Sequence, residues 1–238
     1  MAGKGKLYLI PNSMGSDDLN AILPQGNFDI IKSIQTFIVE DLRTARRFLS
    51  KAGHSGNIDQ LDFFVLNEHT NLNEISEYLY AVNNGKDIGL LSDAGVPCVA
   101  DPGADIVSLA QNQNIQVVPL VGPSSILLSL MASGFNGQNF AFVGYLPREQ
   151  SERNKRIKEL EIRVFKEDQT QIFIETPYRN NQMFESLIKQ CNMDTKVCIA
   201  CDISLKSEYI VTHTAKDWKK LKPKPDLHKR NTIFLIYK

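Results

Sequence analysis

Short apolar runs alternate with amphipathic stretches along the first half of this 238-residue chain. Apolar runs bounded by turn signals indicate buried strands, and apolar positions three or four residues apart indicate helices. Such alternation is typical of a mainly parallel sheet with helices on both faces. The predicted strands are Lys6–Pro11, Thr36–Glu40, Phe63–Leu66, Ile88–Ser92 and Gln116–Val121, and the predicted helices are Leu42–Ala52, Leu72–Asn83 and Gly103–Gln111.

The second half has fewer crossovers and longer strand-rich runs, which favours a mixed sheet. Its first helix is expected to stop at Gly134, because glycine is common just after helix C-termini. The basic, proline-broken stretch Lys216–Arg230 is predicted to be a surface loop. We therefore expect two α/β domains, 1–118 and 119–238. The predicted strands are Phe140–Tyr145, Thr170–Glu175, Val197–Ile203 and Thr232–Tyr237, and the helices are Pro123–Ser133, Glu152–Glu161 and Tyr178–Cys191.

Composition is that of an ordinary globular protein, with 42% hydrophobic and 23% charged residues. Lysine plus arginine equals aspartate plus glutamate at 27 each, so any surface for nucleic acid has to be local. The first residues hold too short an apolar run for a signal peptide, and no segment approaches the length of a membrane span. We therefore expect a cytoplasmic protein.

The cysteines and histidines do not predict a metal site. Cys198 and Cys201 form a C-x-x-C within a predicted strand, where positions three apart point to opposite faces. We expect both to be buried apolar side chains. The four histidines are scattered in polar stretches and are expected at the surface; they are His54, His69, His213 and His228.

Three strand-to-helix junctions place a proline at a predicted helix start: Asp101-Pro102, Gly122-Pro123 and Thr176-Pro177. A cap oxygen followed by proline favours a helix start, because proline lacks only an N–H that the first turn leaves unpaired. In open α/β sheets, the strand carboxyl ends and the following helix N-termini form the ligand crevice. Helix capping does not account for S-D-A-G at 92–95, where an acidic side chain and bare backbone can face a ligand.

Several common catalytic and nucleotide-binding motifs are absent from the sequence. It has no G-x-x-x-x-G-K-[ST] phosphate loop and no G-x-G-x-x-G after the first predicted strand. It also has no H-E-x-x-H or G-x-S-x-G. These absences disfavour NAD-dependent oxidoreductases, P-loop NTPases, zinc proteases and serine hydrolases.

The chain resembles the tetrapyrrole methylase family in six segments that follow the family's order: "LYLIPNSMGSDDL", "VEDLRTARRFLS", "GLLSDAGVPCVADPG", "VVPLVGPSSILLSLMASGF", "FVGYLPR" and "IFIETPYR". It is most similar to the branch that methylates the ribose 2′-hydroxyl of a cytidine in 16S ribosomal RNA. The resemblance covers roughly residues 6–180 and is loose beyond them. It implies two α/β domains, a homodimer, and S-adenosylmethionine (SAM) bound in the cleft between the domains.

The resemblance also implies which residues contact the cofactor. Two family motifs differ here: A-E-D-T-R reads V-E-D-L-R at 39–43, and P-I-G-N reads S-M-G-S at 13–16. Both departures lie on the substrate side, so they bear on the methyl acceptor more than on the cofactor. The implied cofactor contacts are Pro11, Asp93, Ala94, Gly95, Val96 and Val99 from the first domain, with Ser124, Ser125, Thr176 and Pro177 closing the site from the second.

Methyl transfer from a sulfonium is an in-line displacement that needs no acid, so the protein mainly has to align the reactants. A hydroxyl acceptor would gain from a base or a cation near its oxygen, and Glu40 and Arg43 are the candidate catalytic residues. The alternative is that Glu40 and Arg43 form a charge pair at a helix N-terminus. Arg179 is a candidate substrate contact that would bind phosphate. The alternative is that Arg179 only forms an ion pair with Glu175.

Three functions are compatible with these residues. The first is a SAM-dependent methyltransferase acting on ribosomal RNA or the small ribosomal subunit. The second is a methyltransferase acting on a corrin or porphyrin precursor, and the third is a SAM-binding protein without turnover. If the basic stretches Arg153–Lys158 and Lys216–Arg230 bind phosphate, they support methylation of ribosomal RNA. If they are only solvated surface, they do not distinguish the three functions.

Overall fold

The structure is a computed structural model that describes residues 3–54, 58–67, 70 and 75–238. The chain divides into two compact units, Met1–Ser124 and Ser125–Lys238. The division lies a few residues after position 119, where the sequence predicts the second domain to start. The first unit carries a parallel sheet and the second a mixed sheet, so the predicted α/β class with these two sheet types is confirmed.

The described part of the first unit contains five strands: β1 Lys6–Ile10, β2 Thr36–Val39, β3 Asp62–Val65, β4 Ile88–Leu91 and β5 Gln116–Pro119. Their order in the sheet is β3-β2-β4-β1-β5, and every neighbouring pair is parallel. Each strand begins and ends within one or two residues of its predicted bounds. Both β2 and β4 are fully buried, as expected for central strands covered on two faces.

Helices cover both faces of this sheet. One face packs against α1 (Gln25–Ser33) and α2 (Leu42–Lys51), and the other against α4 (Tyr80–Asn83) and α5 (Ala104–Asn112), with α3 (Ile75–Tyr78) before them. A short 3₁₀ helix spans Ile58–Gln60. The sequence did not predict α1, whose first turn is polar and has no side-chain cap. Of the predicted helix Leu72–Asn83, residues 72–74 lie outside the described residues.

The second unit contains four helices, α6 Ser125–Ser133, α7 Gln150–Glu167, α8 Asn180–Gln190 and α9 Ala215–Lys220, and five strands, β6 Phe140–Tyr145, β7 Thr170–Ile174, β8 Lys196–Cys201, β9 Tyr209–Thr214 and β10 Thr232–Tyr237. Their order is β6-β7-β10-β8-β9. The β6–β7 pair is parallel and the other neighbouring pairs are antiparallel. Gly134 follows α6 with a φ of +75°, as its predicted role requires.

The prediction that Lys216–Arg230 is a surface loop is wrong in its first part. Thr214 caps α9 by accepting a hydrogen bond from the Asp217 N–H at 3.1 Å. The helix buries Trp218 completely, and the indole N–H donates to the Val197 carbonyl at 2.8 Å. The lysines on either side concealed this apolar anchor, because a single tryptophan creates no periodic pattern.

Two predictions about single residue types have different outcomes. Cys198 and Cys201 are buried in β8, which confirms their prediction as core side chains. His54 is buried, so its prediction as a surface residue is wrong. Its Nε2 lies 2.9 Å from the Ile34 carbonyl, and its ring packs edge-on against Phe37. Within the described ranges, no helix has the length and apolar character needed to cross a membrane.

Candidate active site

Polar residues follow three neighbouring strands of the first unit at the edge where those strands end, and a glycine follows the fourth. Pro11 and Asn12 follow β1, Glu40 follows β2, Ser92 follows β4, and Gly122 comes shortly after β5. Since these strands are parallel neighbours, the residues lie at one edge of the sheet. The connections after β1 and β4 run in opposite directions, to β2 and β5. Ligands of open α/β sheets bind at such a reversal.

Asn12 fixes the S-D-A-G loop against the end of β1. Its backbone forms an isolated two-hydrogen-bond bridge with Gly95, with N–O distances of 2.9 and 3.2 Å. Its side-chain amide donates to the carbonyls of Ser92 and Asp93, each at 3.2 Å. Sequence reasoning did not single out Asn12. The available signal was a buried strand that ends in a short amide side chain able to bond to nearby backbone.

Gly122 lets the chain after β5 approach the end of β1. A Cβ atom at Gly122 would lie 2.3 Å from two side-chain carbons of Pro11, well inside van der Waals contact. Pro11 is itself buried, so it has little room to move away. The ends of β1 and β5 are therefore held together by a contact that only glycine permits.

Asp101 does not cap a helix, so that prediction is wrong. Helix α5 begins at Ala104 with Gly103 at the N-cap position, and no side chain caps it. Gly103 has a φ of +129°, a conformation that favours glycine, and this bend turns the chain between Asp101 and the helix. The Asp101 carboxylate instead accepts a hydrogen bond from the Ser92 hydroxyl at 2.5 Å. Asp101 therefore belongs to the strand-end edge.

Three carboxyl groups meet at this edge. Partial burial, followed by the charges of Asp101 and Asp93, raises the pKa of Glu40 to about 7. Burial also raises the pKa of Asp101, although hydrogen bonds from Ser92 and Glu40 oppose the rise. The pKa of Asp93 is raised by burial and by the nearby Asp41 charge, with the Asp41 N–H acting in the opposite direction. As the pH falls through about 7, Glu40 therefore takes up a proton that it can donate to Asp101.

This carboxyl cluster, defined as Glu40, Asp93 and Asp101, has no cationic partner among the residues that the structure describes. Among the described residues, no lysine or arginine nitrogen lies within 4 Å of these carboxylates. Half-buried carboxyl groups without a counter-charge favour either protonation or a bound cation. The cluster is therefore suited to a cationic group of a ligand.

The predicted alternative for Glu40 and Arg43, a charge pair at the start of α2, is not present in the structure. Asp41 caps α2, and its Oδ1 accepts a hydrogen bond from the Thr44 N–H at 2.8 Å. Arg43 is exposed in the first turn of that helix. Glu40 is thus free of a helix-capping role, and its main partner is Asp101.

The loop after Asp93 is strained. Cys98 and Ala100 both adopt left-handed backbone conformations, with φ values of 67° and 58°. Such residues concentrate at ligand-binding loops, where surrounding contacts hold them in place. Burial and the Asp101 charge raise the pKa of the Cys98 thiol to about 11, so it stays protonated at neutral pH. Ala94 and Val99 are exposed along this loop, and Val96 is half-buried.

In the second unit, two predicted helix starts are displaced along the chain. Helix α6 begins at Ser125, two residues after Pro123, and Ser124 precedes it as the last residue of the first unit. Helix α8 begins at Asn180, so the prediction that Thr176 caps it is wrong. The Thr176 carbonyl instead accepts the Arg179 N–H at 2.9 Å, which makes the Thr176-Pro177 segment a turn.

An ion pair between the buried Glu175 and the partly exposed Arg179 supports that turn. Glu175 Oε1 accepts hydrogen bonds from the Arg179 guanidinium and from the Thr176 N–H, both at 2.6 Å. Arg179 therefore pairs with Glu175, as one of its two predicted roles required. Glu175 Oε2 and Arg179 Nε are buried, and neither has a hydrogen-bond partner in the part of the chain that the structure describes. The turn thus has unused donor and acceptor capacity.

Residues 13–218 match the protein family described as Tetrapyrrole (Corrin/Porphyrin) Methylases. The chain belongs to this family. The resemblance carried by the six sequence segments is therefore confirmed. As a family member the chain is a methyltransferase, and its methyl donor is SAM.

Curated relatives extend the match over most of the chain, and three of them share the name "Ribosomal RNA small subunit methyltransferase I". The protein from Bacillus subtilis is 30% identical over 216 residues, which cover 90% of this chain and 68% of the relative. The Buchnera aphidicola protein is 30% identical over 241 residues, or 98% and 78%. The Vibrio cholerae protein is 28% identical over 204 residues, or 86% and 67%. This chain thus aligns with between two thirds and four fifths of each relative.

Solved structures share the fold at lower identity. The methyltransferase CobJ has a TM-score of 0.64 at 13% identity, covering 98% of this chain and 94% of its own. Cobalt precorrin-4 methyltransferase CbiF has a TM-score of 0.62 at 13% identity, with the same coverage. At this identity the likeness establishes the fold and carries no information about the methyl acceptor.

Proposed function

We propose that this chain transfers a methyl group from SAM to RNA of the small ribosomal subunit, at the ribose 2′-hydroxyl of a cytidine in 16S ribosomal RNA. The observation that carries the acceptor is the match to relatives named for that RNA, which reaches 98% of this chain in one case. The cytidine hydroxyl follows from the resemblance to that branch of the family.

The strand-end edge of the first unit fits the cofactor by the chemistry of its groups. SAM carries a cationic sulfonium, a cationic α-ammonium group and ribose hydroxyls. The carboxyl cluster lacks a counter-charge among the described residues, so a bound ammonium group would supply one, and ligand hydroxyls could donate hydrogen bonds to its oxygens. Within the cofactor site we propose Pro11, Asp93, Ala94, Gly95, Val96 and Val99 from this unit.

Two further segments belong to the proposal: Ser124 and Ser125, where the first unit ends and the second begins, and the turn at Thr176 and Pro177. The unpartnered Glu175 Oε2 beneath that turn can accept a hydrogen bond from a ligand, and its partner Arg179 retains 29% side-chain exposure. Arg179 thus remains the candidate contact to an RNA phosphate, with the Glu175 pair fixing its position.

Glu40 is the proposed general base for a hydroxyl acceptor. A base works best when its pKa lies near the working pH, and that of Glu40 is raised to about 7. When bound, SAM supplies an electrophilic methyl group. Glu40 in its deprotonated form would accept the hydroxyl proton at a side-chain oxygen, and Asp101, held by Ser92, would keep that side chain oriented. The exposed guanidinium of Arg43 is the proposed cation near the acceptor oxygen.

The alternative acceptor, a corrin or porphyrin precursor, is supported by the description of the family and by fold-level matches at 13% identity. The third alternative, a SAM-binding protein without turnover, is removed by any observed methyl transfer. Neither has an observation of its own that favours it over ribosomal RNA.

The direct test is mass mapping of 16S ribosomal RNA from a strain that lacks this protein. We expect one cytidine to lose the mass of a single methyl group and to regain it when the wild-type chain is supplied. A chain carrying Glu40→Gln should be stably produced but should not restore the modification. An unchanged RNA would contradict the proposed acceptor, and transfer to a tetrapyrrole by the purified protein would replace it.

The family further implies a homodimer, and we include a dimeric, cytoplasmic protein in the proposal. Sedimentation velocity of the purified chain should give about twice the 26.8 kDa mass of one chain. A species at the monomer mass over the same concentration range would remove this part of the proposal.

A further inference from the structure

A polar cavity lies wholly within the second unit, beside the N-terminus of α7. Its volume is about 420 Å³, and every residue that lines it is polar or charged. It lies between the first turns of α7 and one face of α8, with Arg153 and Asn154 on one side and Ser186 and Lys189 on the other. No part of the proposed methyl-transfer site lines it.

Arg153 is buried in this cavity wall without a carboxylate partner. Its residue exposure is 5%, and its guanidinium donates to the Ser186 hydroxyl at 3.1 Å and to the Arg148 carbonyl at 2.8 Å. The structure describes every residue of this unit, and none of their carboxylate oxygens lies within 4 Å of Arg153. A buried charge that meets only neutral acceptors is costly, so an anion would stabilise it.

The other charges around the cavity also favour an anion. Arg148 and Lys189 add two positive charges to that of Arg153, whereas Glu149 and Glu185 contribute two negative charges, so the lining carries one net positive charge. Glu149 occupies the N-cap position of α7, and its carbonyl accepts the Arg153 N–H at 2.8 Å, but its side chain makes no capping hydrogen bond. The N–H groups of an 18-residue helix therefore point out of the helix beside the cavity without a side-chain cap.

One acceptor in the same wall calls for a donor from the ligand. The Oδ1 atom of Asn154 is buried and has no hydrogen-bond partner. A phosphate alone offers acceptors to Arg153 and Lys189, but a hydroxyl next to the phosphate would also satisfy Asn154. A ribonucleotide combines both groups.

From this geometry we propose that the cavity binds a phosphate ester with a neighbouring hydroxyl, as found in an RNA backbone or a free ribonucleotide. Arg153 and Lys189 bind the phosphate oxygens, and Asn154 accepts a hydrogen bond from the hydroxyl. The inference does not depend on the methyl donor or acceptor, because phosphate binding here can be measured without methyl transfer.

The test compares wild-type protein with Arg153→Gln, Arg148→Gln and Lys189→Gln. The matched controls are Arg163→Gln and Lys166→Gln, which remove the same charges from exposed positions of α7. Titration calorimetry with inorganic phosphate and with cytidine 5′-monophosphate reads the site directly. Fluorescence anisotropy with a short single-stranded RNA, at several salt concentrations, measures whether the cavity binds RNA.

We expect the nucleotide to bind more tightly than inorganic phosphate, and Arg153→Gln to weaken both by about tenfold or more, as loss of a charge-assisted hydrogen bond implies. If the bound phosphate belongs to RNA, the variants at Arg153, Arg148 and Lys189 should also weaken RNA binding. They should reduce the slope of log affinity against log salt concentration by about one, while the control variants should not. If RNA binding is unchanged but nucleotide binding falls, the source is a free ribonucleotide.

Two outcomes would overturn the proposal. One is a wild-type protein that binds neither phosphate probe and shows equal RNA affinity in pocket and control variants. The other is an equal loss in the pocket and control variants, which would report overall charge. If Arg153→Gln fails to fold by circular dichroism, the exposed Arg148 and Lys189 variants decide the matter. Either failure leaves the methyl-transfer proposal standing, since that is read by RNA mass mapping.

Discussion

The carboxyl cluster of the first unit and the polar cavity around Arg153 in the second unit both hold charge that the protein does not neutralise, negative in the first case and positive in the second. Glu40, Asp93 and Asp101 are half-buried without a cation, and Arg153 is buried without a carboxylate. By contrast, the buried Glu175 is paired with the partly exposed Arg179 at 2.6 Å. Because unpaired buried charge is costly, the two uncompensated sites are where a ligand of opposite charge gains most.

The sites differ in how the protein tolerates the uncompensated charge. Carboxyl groups can take up a proton, and with its pKa raised to about 7 Glu40 can do so as the pH falls through neutrality. A guanidinium stays charged under all ordinary conditions, so Arg153 depends on neutral acceptors and solvent in its cavity. The acidic site is therefore sensitive to pH, whereas the basic site should respond mainly to salt.

The largest effect expected is on catalysis. Glu40→Gln should lower methyl transfer by about 10²–10⁴-fold, the usual contribution of a general base, because the amide cannot accept the acceptor's proton. Single-turnover transfer from labelled SAM to small ribosomal subunits measures the rate. S-adenosylhomocysteine should still bind, which separates a lost base from a lost site. A rate within a few fold of wild type would remove Glu40 from this role.

The next effect is on cofactor affinity. S-adenosylhomocysteine at 100 times its dissociation constant should stabilise the wild-type chain by about 2.7 kcal/mol. In Asp93→Asn most of this stabilisation should disappear, because the carboxylate is proposed to bind a cationic or hydroxyl group of the ligand. Thermal unfolding with and without ligand measures it. The exposed Asp29→Asn on α1 is the control, and equal shifts in both variants would place the site elsewhere.

A smaller effect is expected on stability alone. Gly122→Ala would place a methyl group 2.3 Å from Pro11, and overpacking of this kind costs roughly 1–3 kcal/mol. Denaturant unfolding measures the change in unfolding free energy. Gly137→Ala is the matched control, since nothing lies within 4 Å of its Cβ position. Equal stability of the two variants would mean that the ends of β1 and β5 are not held in close contact.

The smallest effect is the pH dependence that distinguishes the acidic site from the basic one. The pKa of Glu40 rises from 4.5 to about 7 on folding, so its stabilising contribution is complete below about pH 4.5 and is lost as pH rises through 7. Without ligand, the unfolding midpoint should fall between about pH 5 and 8 more in wild type than in Glu40→Gln. Parallel curves for the two proteins would contradict this account.

The positions of strands were the most predictable part of the fold. Continuous apolar runs located each strand of the parallel sheet to within one or two residues, because strands buried on both faces leave a plain signal in the sequence. Helix α1 and helix α9 were missed. The first lacks a capping side chain, and the second depends on one buried residue, Trp218, within a basic stretch.

Site residues were predictable from the sequence where no local structural role explained them. They were misassigned where a local rule, such as helix capping, already accounted for the residues. Asp101 before Pro102 satisfied the rules for a helix cap, but Gly103 turns the chain so that Asp101 pairs with Ser92 and Glu40. Asn12 and the cavity around Arg153 depend on contacts between distant parts of the chain. No local rule reports such contacts, so only the folded structure could bring these residues together.

The most direct test of the central claim is the proton balance of cofactor binding. S-adenosylhomocysteine should be titrated at pH 7 in two buffers that differ in ionisation enthalpy. A cationic ligand group at the carboxyl cluster would lower the pKa of Glu40, so binding should release protons, and the measured heat should depend on the buffer. In Glu40→Gln this dependence should vanish while binding persists. Binding with no buffer dependence in the wild-type protein would contradict the assignment of this site.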